Sequence, residues 1–536
     1  MRPRLGFRHP GKRTARRSAD ARAVRPGHPD KAGGHADRED VRQGDDQGGR
    51  VSSITMPSPA LGSQPPEEVP AGRRRTELSM LVFAFGVVAF AFANTALSLK
   101  GQQVASIVEY MIAFMAIIIG AHLAIRRWAP YADPLMLPLA AMLNGLGIVM
   151  TYRLVQAGRN GNLGCSLCPS GTLSVPMASS ATIIQIVYTA IGVGLFVAVL
   201  VFIPEPRVLQ RYTYILGLVG IVLIALPAFL PSSISEVANT GAKIQIRLGS
   251  FTVQPEEFAK LALAASFAGY LVAKRDVLSL AGKRVLGIDL PRGRDLGPIA
   301  LAWLASLLLL VFESDIGTSA VFMGLFVAMI YIATSRTSWL LLGFVMFVVG
   351  AFAAAQVFSH VRLRFDIWLH PFNGSNPGNH AYQLIQGLYG MANGGLLGRG
   401  LGNGQPYWTP LIQSDLVFTS FGEEIGLTGI MALLLLYGLL VERGLRTAIM
   451  VKDPYSKLLA GGLSVMFALQ VFVIVGGVTR LIPLTGITTP FLSQGGSSLV
   501  ASWVLIAMLA RLSDTARRPP PRPIQEEGLT QVVSLK

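Results

Sequence analysis

Three carboxylates stand close together in "PLIQSDLVFTSFGEEIG" (410–426): Asp415, Glu423 and Glu424. An apolar run long enough to cross a membrane begins at the same place. Asp is a good helix N-cap, which is the plain reading of Asp415. Two adjacent acids in the outer third of a span, Glu423 and Glu424, cost several kcal/mol if they face lipid. They must therefore pair with buried arginines or line a polar site. Arg480, Arg362 and Arg364 are the candidate partners by position. Asp315 in "FESDIGTS" and Glu257 in "QPEEFAK" are similar intramembrane acids, and together they suggest a polar cleft that opens outward. A carboxylate general base in such a cleft can deprotonate a sugar hydroxyl for attack on an activated anomeric carbon. Basic groups or a metal would then stabilise a leaving diphosphate. A proton-coupled transporter could use the same acids, and residue chemistry alone leaves the two level. The chain offers no HExxH pattern, Ser/His/Asp set or cysteine nucleophile for other chemistry.

Just before the acids lies "YQLIQGLYGMANGGLLGRGLGNGQP" (382–406). Its first half places Tyr382, Ile385, Leu388 and Tyr389 among Gln383 and Gln386, a pattern for a helix in the membrane interface. Its second half carries glycines at 394, 395, 398, 400, 402 and 404 around Arg399. Such a loop is either plain surface or a cradle whose N–H groups and arginine meet phosphate. It has no Walker pattern and no GxGxxG after a strand, so a nucleotide cofactor is not expected.

The elements that must hold these residues are membrane helices. The chain has 536 residues, 51% hydrophobic and 14% charged. Soluble domains carry about 25% charged residues. Twelve spans are expected near 78–99, 104–125, 134–152, 181–203, 212–230, 257–273, 296–313, 317–335, 339–359, 418–441, 459–479 and 490–511. With the N-terminus inside, the inner loops gather Arg126, Arg127, Arg207, Arg211, Lys274, Arg275, Lys283, Arg284, Arg336, Arg443 and Arg446, as the positive-inside rule requires. The fold class is thus an all-α integral membrane protein, with both termini cytoplasmic and a large outer loop (360–417) before helix ten. The net charge of +16 follows from that arrangement and from a basic tail, and does not point to nucleic acid.

The domain plan is a disordered basic tail (1–76), a polytopic membrane domain (77–513) and a short cytoplasmic tail (514–536). Residues 1–55 read either as a tail held against anionic lipid or as sequence upstream of an initiator at Met56. Cys165 and Cys168 fall in an outer loop, where a small disulfide and two free thiols are equal expectations. No internal repeat is visible, which argues against a transporter built from paired halves.

Five segments in order, "LGSFTVQPEEFAKLAL", "FESDIGTSAV", "YQLIQGLYGMANGGLLGRGLGNGQP", "SDLVFTSFGEEIGLTG" and "RLIPLTGITTPFLSQGGSSLVASW", resemble the SEDS family (shape, elongation, division and sporulation), which includes RodA and FtsW proteins. The resemblance covers roughly 134–512. The two extra N-terminal spans are most similar to actinobacterial RodA-type members. The resemblance implies a peptidoglycan glycosyltransferase that polymerises lipid II at the outer face of the plasma membrane, in elongation or division. It implies a class B penicillin-binding protein as partner. Asp415 matches the family's catalytic aspartate, as general base or as ligand of a divalent cation (Mg or Mn). Glu423 and Glu424 would shape the cavity, with Asp315 and Glu257 as further cavity acids. Gln386, Arg399, Gly402, Arg480, Ser497 and Ser498 would contact substrate. The chain departs from the family pattern at Leu411, where relatives carry an acid in the Leu411–Gln413 interval, at Gln494 (usually Tyr) and at Glu256 (usually Ser). A lipid II flippase and a non-catalytic scaffold are the competing expectations.

Overall fold

The structure, a computed structural model, describes residues 71–99, 104–160, 180–231, 235, 245–248, 251–279, 283–285, 288–290, 316–372 and 379–519. The expected span at 296–313, Asp315, Cys165, Cys168 and most of both tails lie outside them. Thirteen α-helices are described: α1 (Ala71–Ser98), α2 (Val104–Trp128), α3 (Met136–Asn160), α4 (Ala181–Phe202), α5 (Thr213–Phe229), α6 (Pro255–Ser279), α7 (Ile316–Thr334), α8 (Ser338–Val357), α9 (Ser359–Leu369), α10 (Asn379–Gly394), α11 (Val417–Met450), α12 (Pro454–Val478) and α13 (Gly496–Arg517). Two short antiparallel hairpins, β1–β2 (Ile246–Leu248, Phe251–Val253) and β3–β4 (Lys283–Val285, Ile288–Leu290), are the described β structure.

Ten helices among the described residues are long and apolar enough to span a membrane. They match ten of the twelve expected spans. The eleventh, α6, is a 25-residue helix with Glu256 and Glu257 in its first turn. The protein is a helical multi-pass membrane protein. Apolar residues face outward where lipid replaces water: α8 exposes Leu341, Phe344, Val348 and Phe352. By contrast α3 is almost wholly buried, and small residues let neighbours close on it. A β-carbon at Gly147 would stand 2.2 Å from the Phe491 carbonyl oxygen. Close approach through small residues is the usual means of packing helices in lipid, where apolar burial drives nothing.

Buried Trp503 of α13 is the anchor of this core. Its ring meets Phe196 and Phe491 edge-on at 5.9 and 5.5 Å, and its Nε1 donates to Asn144 of α3 at 3.2 Å. Phe491 takes a left-handed backbone (φ 65°). That conformation is costly without Gly, and here the aromatic packing holds it. The loop between α12 and α13 is thereby fixed, and this loop carries one wall of the site.

The opposite end of the bundle is a charged belt. Asp133 pairs with Arg517 and with Arg443, and Asp514 pairs with Arg511 and Arg518. The Tyr131 N–H donates to Asp514 at 2.8 Å. These contacts join the ends of α2, α11 and α13 on one face.

The helix that matches the expected span at 418–441 carries a break, since Gly426 interrupts α11 with φ 68° and ψ −172°. The unbroken piece after it is 427–450, roughly 36 Å long at 1.5 Å per residue. Glu423 and Glu424 sit on a separate nine-residue piece above it.

Candidate functional site

The break at Gly426 would orphan four backbone groups in a membrane, where each is expensive. The glycine-rich loop supplies their partners. In an unbroken helix Leu427 and Thr428 would donate to Glu423 and Glu424. They donate instead to the carbonyls of Gly395 (2.9 Å) and Leu396 (3.1 Å), while Arg399 and Gly400 donate to the Glu423 (3.0 Å) and Glu424 (2.9 Å) carbonyls. The chains touch so closely that a β-carbon at Gly398 (φ +81°) would lie 2.3 Å from the Glu424 carbonyl oxygen. Gly398→Ala therefore combines backbone strain with a backbone clash. It should destabilise by about 1–3 kcal/mol, read as a lower thermal midpoint of the purified protein.

The two acids point into the same loop. Glu424 accepts from Arg153 Nε at 2.8 Å and from the Gly402 N–H at 2.9 Å; the Arg153 Nη2 donates to the Gly404 carbonyl at 2.8 Å. Glu423 accepts from the Gln405 N–H at 3.0 Å and lies 3.5 Å from Arg399 Nη1. The side chains of Arg153 and Glu424 are only 5% and 1% exposed. Sequence position nominated Arg480, Arg362 and Arg364 as partners of these acids, and the structure corrects this. Arg153, toward the C-terminal end of α3, is the buried partner, and Arg399 the half-exposed one. An arginine at the end of an otherwise apolar span was the available clue. The loop is an anion cradle as its glycines suggest, and the anions in it are the chain's own carboxylates.

Asp415 lies apart from this clamp. Leu416, not Asp415, is the N-cap of α11. The Asp415 segment is stitched to the α12–α13 loop: the Gln494 N–H donates to the Gln413 carbonyl at 2.9 Å, and Ser493 Oγ donates to the Ser414 carbonyl. Gly486 (φ +81°) passes directly beside it. A β-carbon at Gly486 would lie 3.6 Å from Asp415 Oδ2 and 3.7 Å from both Nη atoms of Arg364. Arg364 reaches there from α9, with its Nη1 donating to the carbonyls of Leu484 (3.2 Å) and Thr485 (2.6 Å). Arg480 (φ 62°) faces the other way along α9. Its Nε and Nη2 donate to the Trp368 and Leu369 carbonyls at 2.9 and 3.1 Å, and Trp368 Nε1 returns a bond to the Arg480 carbonyl at 3.1 Å.

The remaining nominated residues fall elsewhere. Gln386 is half-buried on α10, next to Gly387, which packs on Leu416 and Thr419. Ser497 Oγ accepts the Gln254 N–H at 2.8 Å and so ties the start of α13 to the entry of α6. Ser498 is buried beside it. Glu257 is paired with Lys260 Nζ at 2.8 Å, both buried on α6. Among the described residues no three His, Cys, Asp or Glu side chains converge as a metal site. Asp415 has the Arg364 guanidinium across Gly486.

His360 stands one turn before Arg364 on α9, outside the spans. Burial first, and the Arg364 charge second, hold its imidazole below the ordinary value. The folded state thus binds this proton less readily than the unfolded chain. Its stability contribution is complete above the unfolded value of about 6.5 and is lost as pH falls from there toward the depressed folded value. The thermal midpoint of wild type should drop between pH 7.5 and 5.5 by more than that of His360→Gln; equal drops would refute the assignment.

The FtsW/RodA/SpoVE family of cell cycle proteins matches residues 136–518. This chain belongs to that family. Two relatives are each named peptidoglycan glycosyltransferase RodA. The one from Mycobacterium tuberculosis is 46% identical over 448 residues, which covers 83% of this chain and 92% of the relative. The one from Mycobacterium leprae is 44% identical over 447 residues, with the same coverage. The stage V sporulation protein E of Bacillus subtilis is 33% identical over 285 residues, covering 52% of this chain and 74% of that protein. Among solved structures, a chain described under "Structural coordination of polymerization and crosslinking by a peptidoglycan synthase complex" superposes with a TM-score of 0.55 at 24% identity. That match covers 72% of this chain and 99% of the other.

Proposed function

We propose that this protein is a peptidoglycan glycosyltransferase that polymerises lipid II, with Asp415 as general base. The observation that carries the mechanism is the placing of Asp415. It is half-buried ahead of α11, at the end away from the charged belt, with Arg364 across Gly486. The likeness to mycobacterial RodA proteins, named for this activity, supports the reaction class.

The chemistry follows from those two groups. Asp415 takes the proton of an attacking sugar hydroxyl as the new glycosidic C–O bond forms. The bond from the anomeric carbon to the lipid diphosphate breaks, and its electron pair leaves on the phosphate oxygen. A base in hydrogen-bond reach contributes about 10²–10⁴-fold, and a cation that meets the developing diphosphate charge contributes a comparable factor. Arg399, half-exposed on the glycine-rich loop, remains available to the lipid-linked substrate, as does Gln386. No step is routed through a metal ion.

The charged belt supports an orientation with that face, and both termini, in the cytoplasm of a plasma membrane. The site then faces outward, where the wall is built. A class B penicillin-binding protein is the expected partner, consistent with the description of a structural neighbour in terms of joint polymerization and crosslinking. The test is conversion of purified lipid II to glycan strands by the purified protein, with and without that partner. Strand formation supports the reading; lipid II left intact under both conditions overturns it.

A further inference from the structure

The geometry points to Arg364 as the residue that receives the diphosphate of the lipid-linked sugar, with Arg480 as the residue that positions it. The assignment rests on the glycosyltransferase reading. It departs from the diphosphate contacts that the family resemblance implies, namely Arg399 and Arg480.

Three observations carry it. First, Arg364 and Asp415 flank one glycine: any side chain at Gly486 would lie 3.6 Å from the Asp415 carboxylate and 3.7 Å from the guanidinium. A base and a leaving-group site must sit on either side of the reacting carbon, and these two groups converge on such a space. Second, the guanidinium is anchored without being used up. Its Nη1 is held by the Leu484 and Thr485 carbonyls, while Nη2 and Nε donate to no other described residue. An arginine fixed by one edge and open on another is pre-organised for a forked contact with phosphate oxygens. Third, the Arg480 guanidinium is taken by the Trp368 and Leu369 carbonyls at the end of α9. Its left-handed backbone and the returning Trp368 bond lock that contact. Arg480 thereby fixes the helix that delivers Arg364. Arg399, by comparison, is drawn toward Glu423.

The experiment is equilibrium binding of undecaprenyl diphosphate and undecaprenyl monophosphate to the purified full-length chain, alongside lipid II polymerisation. Wild type should prefer the diphosphate. Arg364→Gln should weaken diphosphate binding about 10- to 100-fold, the value of a lost charged hydrogen-bond pair, and bind the monophosphate nearly as before. Arg364→Lys keeps the charge without the fork and should fall between. Arg480→Gln should also weaken diphosphate binding, and should add little in the Arg364→Gln background, since it acts through that residue. If Arg364→Gln keeps the wild-type preference for diphosphate, the assignment is overturned, whether or not the variant polymerises. A second measurement needs no variant. On wild type, undecaprenyl diphosphate should shield Arg364 from phenylglyoxal more than the monophosphate does; equal shielding also overturns it. Should wild type bind diphosphate through Arg364 and yet form no glycan, the site stands and the glycosyltransferase reading falls. Should it form glycan while Arg364→Gln keeps its preference, the reading stands and the site falls.

Discussion

Polymerisation of lipid II by the Asp415→Asn variant is expected to fall about 10²–10⁴-fold, the usual worth of a positioned general base. The asparagine keeps the shape and loses the basicity. The residue is half-buried and is not the helix cap, and asparagine matches its size, so the fold should survive. The check is a pair of measurements on one preparation: glycan formed from labelled lipid II, and the thermal midpoint. A loss of that size with an unchanged midpoint places the base at Asp415. Wild-type turnover in the variant would remove Asp415 from the chemistry. It would return the flippase reading to contention, because transport could use the same outward face with other acids. Leu411, in the turn that leads to Asp415, takes a φ of 53°, a strained conformation for a leucine.

The largest expected effect on stability is at Arg153. Arg153→Met leaves the Glu424 carboxylate, 1% exposed, with the Gly402 N–H as its remaining hydrogen-bond donor. Removing one partner of a buried pair costs about 3–5 kcal/mol, because the other charge stays buried. The same change releases the Gly404 carbonyl, so the glycine-rich loop loses two of its ties at once. Glu424→Gln leaves Arg153 as the unpaired buried charge, with the Gly404 carbonyl still accepting from it, and is expected to cost a comparable amount. The double variant Arg153→Met/Glu424→Gln removes the unpaired charge and should be more stable than Arg153→Met alone. Thermal midpoints of the four proteins give the coupling. Simple additivity would mean that the two residues act separately, and that the clamp is not the unit the contacts imply. Activity should follow stability in this series, since the clamp lies apart from Asp415. A variant with normal stability and no activity would instead connect the clamp to the reaction.

The sequence by itself determined the parts list. Apolar runs near 20 residues gave the membrane helices, because every backbone group in lipid must be satisfied inside its own segment. The spread of Lys and Arg gave the expected orientation. The quoted motifs gave the family, and within it Asp415. The pattern of Tyr382, Ile385, Leu388 and Tyr389 pointed to a helix, and these residues lie on α10. What only the tertiary structure decided is which charge meets which. Arg153 and Glu424 are 271 positions apart, and Arg364 meets the Thr485 carbonyl across 121; local spacing carries no record of such pairs. The break at Gly426 was equally hidden. A glycine inside an apolar run reads as a tolerated helix residue, and its left-handed backbone exists only because the 394–405 loop supplies the hydrogen bonds that the helix gives up. The same loop read as either plain surface or a phosphate cradle, since glycine N–H groups can meet any anion. Which anion they meet depends on what folds against them, and in this chain Glu423 and Glu424 arrive first.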